Sequence, residues 1–335
     1  MQMAVRQSLS VHGVSMVFTS PVAEHHRRLR EDYGLFFLSD STDPDTIDFT
    51  VGYTVDQRVT GPAQMSFLGV LGDTVTVYAD GSVSVTGPAI DHEKAYESEV
   101  RAYFTAAVLR EVTRRRTANL FHASAVAGER GAVVFAGAKK VGKSSFAMLC
   151  ALAGANYISN DMTVLSLPES PDEGDVVVLG LPQPITLAPG AIDWFGRRHP
   201  TVGLDAGDIG STMDATSLYT LEIGAKSRVT LDLLERYTTV RPEPTRLGTL
   251  IFPEPILTLD RPRARLLDRD EALIRLSMLA ETFLKWHWPV AHSAEEYLKR
   301  LANIMLTTVD AAPAWHLQWC PDHDLNYELI REIAL

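Results

Sequence analysis

The chain has 335 residues, 46% of them hydrophobic, and a formal net charge of -11. That length suggests one large domain or two modest ones, with ample material for a buried core. A chain this acidic lacks the phosphate attraction behind general binding to nucleic acid or to anionic membrane, so neither is expected as a partner.

The two cysteines, Cys150 and Cys320, have no companions at metal-ligand spacing and form no disulfide framework. Such usage fits a reducing cytoplasm, which is the expected location. The first twenty residues carry one Arg and a broken apolar pattern, without the compact apolar core of a secretory signal. No apolar run approaches the roughly 18 residues of a membrane span.

Residues 1–90 read as a small β-rich domain. Asp48 to Val55 alternates in the strand manner. Val75 to Tyr78 and Ser82 to Val85 flank Ala79-Asp80-Gly81, and an Asp-Gly pair between alternating runs signals a hairpin. Residues 91–117 read as a connecting helix. There Val100, Tyr103, Phe104, Ala107, Val108 and Val112 recur at three- and four-residue intervals. Arg110, Arg114, Arg115 and Arg116 crowd its end, where cations favour the helix dipole. A substrate or phosphate patch is the other reading of those arginines.

Residues 118–335 read as an α/β domain. A turn at Gly128 to Gly131 leads into Ala132 to Ala136, a short apolar run of the kind buried on both faces. Ser144 to Ala153 reads as a helix and Tyr157 to Ser159 as a strand, giving a parallel βαβ unit. Pro168 to Asp175 reads as a loop. Gly180 to Gly190 holds too many prolines for a regular element interior. Gly203 to Ala215 is Gly- and Asp-rich and reads as a mobile segment. Later strands are expected at Tyr219 to Ile223 and Thr249 to Phe252, and helices at Asp270 to Trp286 and Ser293 to Leu306. Ser293 is the expected N-cap of the latter, with Glu296 at the capping-box position. A last helix starts near Leu325.

The chemistry concentrates between the buried strand and its helix. Gly137-Ala138-Lys139-Lys140-Val141-Gly142-Lys143-Ser144, followed by Ser145, is G-x-x-x-x-G-K-S. Its glycines let successive N–H groups turn inward on phosphate oxygens, and the helix N-terminus adds positive potential. Lys143 is expected on the β- and γ-phosphates of ATP or GTP, and the Ser144 hydroxyl on Mg²⁺. A Gly-rich strand–helix turn without a ligand is the plain alternative. Asn160-Asp161 follows the next strand, where Asp161 can hold Mg²⁺ or activate a hydroxyl. The same pair can also simply make a turn. His122, beside Phe121, reads equally as structural or as catalytic.

The run Phe121 to Leu165 resembles the catalytic core of HPr kinase/phosphorylase and its wider family of HPr-kinase-like proteins. The matching features are His122-Ala123-Ser124, the phosphate loop Gly137 to Ser144, and Asn160-Asp161 at the end of the next strand. They cover about one-seventh of the chain. Looser similarity lies at Gly180-Leu181-Pro182 with Leu187, at Trp315-His316-Leu317 and at Pro321-Asp322. The resemblance implies a P-loop fold similar to that of phosphoenolpyruvate carboxykinases. It implies Mg²⁺-dependent transfer of a γ-phosphoryl group to a serine-type hydroxyl of a peptide or protein, with catalytic roles for Asp161, His122 and Lys143.

Three positions depart from the family pattern. Asn160 stands where the family has the first Asp of a pair, and Lys140, preceded by Lys139, stands where true HPr kinases carry Gly. The Gly-rich second signature of the bifunctional enzymes is represented only by its opening, Leu221 to Lys226. These departures point away from phosphorolysis and from HPr as acceptor. Two alternatives stand beside the peptide or protein kinase: a kinase of a small-molecule hydroxyl, such as an amino acid or sugar, and a non-catalytic nucleotide-binding regulator. A homo-oligomer stays open as the assembly.

Overall fold

In the computed structural model, the described residues are 5–36, 49–55, 63–68, 74–78, 82–87, 96, 101–168, 175–181, 185–187, 210–212, 226–229, 231–236, 238–241, 243–280 and 294–335. They fall into two compact units that divide between Arg115 and Arg116.

The first unit is a mixed sheet with helices. Its elements are β1 (Val5–Val11), β2 (Val14–Ser20), α1 (Ala23–Tyr33), β3 (Phe49–Val55), β4 (Ala63–Leu68), β5 (Thr74–Tyr78), β6 (Val83–Gly87) and α2 (Arg101–Arg115). The strands lie in the order β1-β2-β3-β6-β5-β4. The expected hairpin is present as the antiparallel pair β5–β6, with Val75 opposite Val85 and Val77 opposite Val83. All four valines are buried, so strand alternation carries one face inward. Helix α1 was not foreseen, because His25, His26 and Asp32 stand among its buried residues beside Leu29 and Tyr33 and mask the apolar period. His25 meets Ser20 Oγ at 3.1 Å, and His26 meets the Ser20 carbonyl at 3.0 Å.

Helix α2 buries Phe104, Ala107, Val108 and Val112. It falls within the first compact unit. The part of the expected helix before residue 101, apart from Tyr96, lies outside the described residues. Arg114 and Arg115 both donate to the buried carboxylate of Glu111. The bond from Arg114 is the main reason that Glu111 is held down to about 2.

The second unit is built on β7 (Ala118–Phe121), β8 (Ala123–Gly128), β9 (Gly131–Ala136), α3 (Lys143–Leu152), β10 (Asn156–Ser159), β11 (Thr163–Ser166) and β12 (Val177–Gly180). The short elements β13 (Ile185–Leu187), β14 (Gly210–Thr212), β15 (Lys226–Val229) and α4 (Leu231–Glu235) follow. The chain then forms β16 (Thr245–Pro255), β17 (Arg263–Leu266), α5 (Arg269–Ser277), α6 (Ala294–Ala311), β18 (Ala314–Trp319) and α7 (His323–Ala334). The main sheet runs β10-β8-β9-β16-β12-β11-β7, with β18 on β16 and β17 on β18.

Strand β9 is buried on both faces, as its apolar run dictates. Val133 and Phe135 pack with α3 residues Phe146 and Leu149, and with Ile330 of α7. Val134 and Ala136 pack with Ile158, Leu276 and Ile304 on the other side. The expected βαβ unit has its two strands running the same way but not adjacent. Strand β8 lies between β9 and β10 and is antiparallel to both.

Ile185–Leu187 forms a three-residue strand within the proline-rich stretch expected to be irregular. Of the Gly- and Asp-rich segment, Gly210–Thr212 is a strand and the remainder lies outside the described residues. The expected strand at Tyr219 to Ile223 and the N-cap at Ser293 also lie outside them. Helix α5 stops at Ser277, short of the expected Trp286: Met278 is its C-cap and Ala280 forms a bridge with Phe121. No helix of the described residues is long and apolar enough to cross a membrane.

Candidate phosphate-binding site

Sheet direction brings the candidate residues to one edge. β9, β16 and β18 are parallel, so their C-terminal ends share an edge. The loop Gly137 to Gly142 follows β9 there. β8 runs the opposite way, with Ala123 opposite Ala136, so His122 stands at the same edge. β10 runs with β9 and delivers Asn160-Asp161 to it. Ligands in open α/β sheets bind outside the carboxyl ends of strands, for this reason of shared access.

The loop is built for a tight reversal. Lys140 and Gly142 have positive φ, +69° and +101°. Gly142 is the N-cap of α3 and supplies no side-chain bond to the first-turn amides. A Cβ on Gly142 would stand 3.0 Å from the Phe146 ring, so glycine serves both the backbone angle and the close approach. Ala138, Lys139 and Lys140 are exposed, whereas Val141, Ser144 and Ser145 are half-buried. Lys143 is buried, and its Nζ donates to the Ala138 carbonyl at 2.9 Å across the loop. Burial pushes its ammonium below the usual value. Asp161 opposes that shift, and Lys139 adds to it.

Asp161 sits at the centre of a three-residue turn. Met162 N donates to Asn160 O at 2.7 Å, and Asp161 has φ +58°. That pairing is a γ-turn pattern of the sparsely populated kind, which persists only where surrounding contacts impose it. The contacts are present. Ser124 Oγ donates to Asn160 Oδ1 at 3.0 Å, both residues being buried. Ser159 and Thr163 join hydroxyls at 2.7 Å, and Thr163 Oγ1 donates to the Ala123 carbonyl at 2.9 Å. β12 approaches so closely that a Cβ on Gly180 would stand 2.3 Å from the Ile158 carbonyl.

His122 is not packed away in the apolar core. Its Nε2 lies 3.5 Å from Asp161 Oδ1, and the Asp161 side chain is 55% exposed. The backbone N–H of His122 donates to the Leu279 carbonyl at 3.0 Å, which fixes the ring's base. A second histidine, His316 on β18, meets Glu254 at 2.6 Å beside the same edge. One contact that sequence reading missed is at Trp319, whose indole N–H donates to the Val141 carbonyl at 2.8 Å. The only sequence signal for it was an aromatic at the end of an apolar alternating run.

The donor set fits a Mg²⁺–nucleotide. Turned amides at a helix start and a buried ammonium suit phosphate oxygens. The Ser144 hydroxyl and the Asp161 carboxylate are oxygen ligands of the type that Mg²⁺ shares with phosphates and water. Among the described residues, no group of three or more His, Cys, Asp and Glu is placed to hold a metal by itself. Two surface clefts, of about 560 and 540 Å³, contain no loop residue. The candidate phosphate-binding residues gather at a strand edge instead. No family model matches this chain, and no curated protein matches it.

Proposed function

We propose that this chain is a Mg²⁺-dependent kinase of the HPr-kinase-like kind, transferring the γ-phosphoryl group of ATP or GTP to a serine-type hydroxyl of a peptide or protein. The observation that carries this reading is the meeting of His122, Asp161 and the buried Lys143 at the strand edge that bears the Gly137–Ser144 loop. The bound nucleotide and Mg²⁺ supply the transferable phosphoryl group and its charge neutralisation. Lys143 and the loop amides hold phosphate oxygens, and Ser144 and Asp161 offer oxygens to the metal. Asp161 and His122 stand side by side to orient the acceptor hydroxyl and take its proton. Phosphoryl transfer depends on positioning and electrostatics more than on covalent chemistry, so this small set is sufficient in principle.

A second reading, a nucleotide-binding regulator without turnover, is favoured by one feature, the amide at Asn160. One experiment addresses both. The protein is incubated with Mg²⁺ and γ-labelled ATP or GTP, and offered serine-containing peptides, free amino acids and sugars as acceptors. Label on a peptide hydroxyl, lost in Lys143→Ala, supports the kinase reading. Tight nucleotide binding without transfer to any acceptor favours the regulator. Absence of both binding and transfer overturns the phosphate-loop reading itself.

A further inference from the structure

Trp319 ends β18 and lies 178 residues away in sequence from the loop it touches. Its indole N–H points at the carbonyl of Val141. A trans peptide is planar, so the Val141 C=O and the Gly142 N–H point in opposite directions. With the carbonyl captured by the indole, the Gly142 N–H is turned away from Trp319. We propose that Trp319 is a positioning residue for the phosphate loop. It holds the Val141–Gly142 peptide so that the Gly142 amide, rather than a carbonyl, is presented to phosphate. The inference rests on the reading of Gly137 to Ser144 as a phosphate loop.

The ring is well seated for that task. It packs edge-to-face on Phe146 of α3, with centroids 5.8 Å apart, and stacks on His323 of α7 at 6.2 Å. A Cβ on Gly142 would stand 3.5 Å from the indole, an ordinary van der Waals distance, so the ring lies directly beside the Gly142 backbone. The chain just after Trp319 is pinned as well. Cys320 N donates to Asn326 Oδ1 at 3.1 Å, and Asn326 Nδ2 donates to the Cys320 carbonyl at 2.8 Å. Asp322 caps α7 by accepting from the amides of Asp324 and Leu325. The C-terminal strand–helix corner is thus rigid, and the indole transmits that rigidity to the loop. A flipped peptide would aim a carbonyl dipole at an anion, and donors fixed in advance avoid that reorganisation.

The test uses the full chain and the Mg²⁺ complexes of the β,γ-imido analogues of ATP and GTP. Trp319→Phe keeps a ring on Phe146 and removes the donor. Calorimetric titration should show the Kd of the better analogue raised about tenfold, the scale of one lost hydrogen bond with its half-buried carbonyl left unpaired. The KM for nucleotide should rise with it, while KM for the acceptor stays unchanged. An unaltered nucleotide Kd in folded Trp319→Phe overturns the proposal.

A second measurement uses the unmutated chain labelled with 5-fluorotryptophan. The Trp319 resonance is assigned by its loss in Trp319→Phe or, should that variant not fold, in Trp319→Tyr. It should shift on adding the triphosphate analogue but not the nucleoside. A resonance indifferent to saturating analogue overturns the proposal. If neither analogue binds the unmutated chain, the phosphate-loop reading fails, and the inference fails with it.

Discussion

Replacing Lys143 by Met should make the protein more stable while removing nucleotide binding. Lys143 is 4% exposed, so its ammonium has given up most of its hydration. Desolvating an ammonium costs several kcal/mol even after relaxation, on the order of 3–5. The bond to the Ala138 carbonyl returns about 1.5–3 kcal/mol, the usual worth of a hydrogen bond to a charged group. The attraction of the partly exposed Asp161 returns a further amount on the order of 0.5. Met keeps the stem's volume and removes the charge. The net gain is about 1 kcal/mol, or a Tm rise of about 2–4 °C for a unit of roughly 200 residues.

The pH dependence gives a second reading of the same charge. Burial lowers the folded pKa of Lys143 below 10.5, so between the two values the unfolded chain binds more protons. Stability therefore gains as pH rises through that window toward 10.5. The advantage of Lys143→Met should shrink over the same range. The buried Cys150 thiol, whose pKa is pushed up, contributes with the opposite sign, but equally in both proteins. Thermal unfolding with and without Mg²⁺ and the ATP analogue measures everything needed. Nucleotide should raise the Tm of the unmutated chain and leave the variant's unmoved. A variant that is less stable by about 1 kcal/mol or more and still gains Tm from nucleotide would refute the reasoning.

Asp161→Asn should leave stability within about 0.5 kcal/mol, since its side chain is largely exposed and Asn tolerates positive φ. Its turnover should fall by roughly a hundredfold or more, and His122→Ala should lower kcat more than nucleotide affinity; phosphoryl-transfer assays beside binding titrations check both. Gly180→Ala forces Ile158 and the following turn to shift, so it should destabilise by about 1–3 kcal/mol and depress turnover with it. A thermal melt that matches the unmutated chain counts against that close contact. In the first unit, Glu111→Gln should destabilise near neutral pH. The folded pKa of Glu111 is about 2 against an ordinary 4.5, so its contribution is complete above 4.5 and is lost as pH falls through about 2. Acid titrations of the two proteins should converge there.

The core of the second unit was legible because its strands are short apolar runs punctuated by glycine. Val133-Val134-Phe135 can only be buried on both faces, and the helix from Lys143 follows from the same local rules. Strand order was not legible. The insertion of β8 between β9 and β10 depends on a hairpin that ends at Gly131 and on packing that periodicity does not encode. Helix α1 escaped because its inward residues include His25, His26 and Asp32, which satisfy their polarity against partners brought from other elements. The arginines at the end of α2 carried two readings in the sequence. The pairing of Arg114 and Arg115 with Glu111, one turn earlier, favours the plainer one.

The candidate site divides along the same line between local and non-local information. The Gly137–Ser144 motif is contiguous, so its residues could be named before any fold was known. The turn at Asn160-Asp161 is contiguous too, but the division of labour within it is not written locally. Asn160 is buried with its carbonyl oxygen bound to Ser124, a residue 36 positions earlier on a neighbouring strand. A carboxylate in that place would accept the same bond, yet it would add a buried anion beside the charged Asp161. The amide avoids this repulsion and still anchors the turn. Asp161 is left outward at a positive φ, with its carboxylate 3.5 Å from His122. Under the proposed kinase reading, an amide at Asn160 is therefore compatible with metal or proton chemistry at this turn. That reading leaves one carboxylate, Asp161, to carry the chemistry, so the variants Asn160→Asp and Asp161→Asn should differ in kind. The first should titrate as a buried acid and disturb the turn. The second should leave the turn intact and silence transfer.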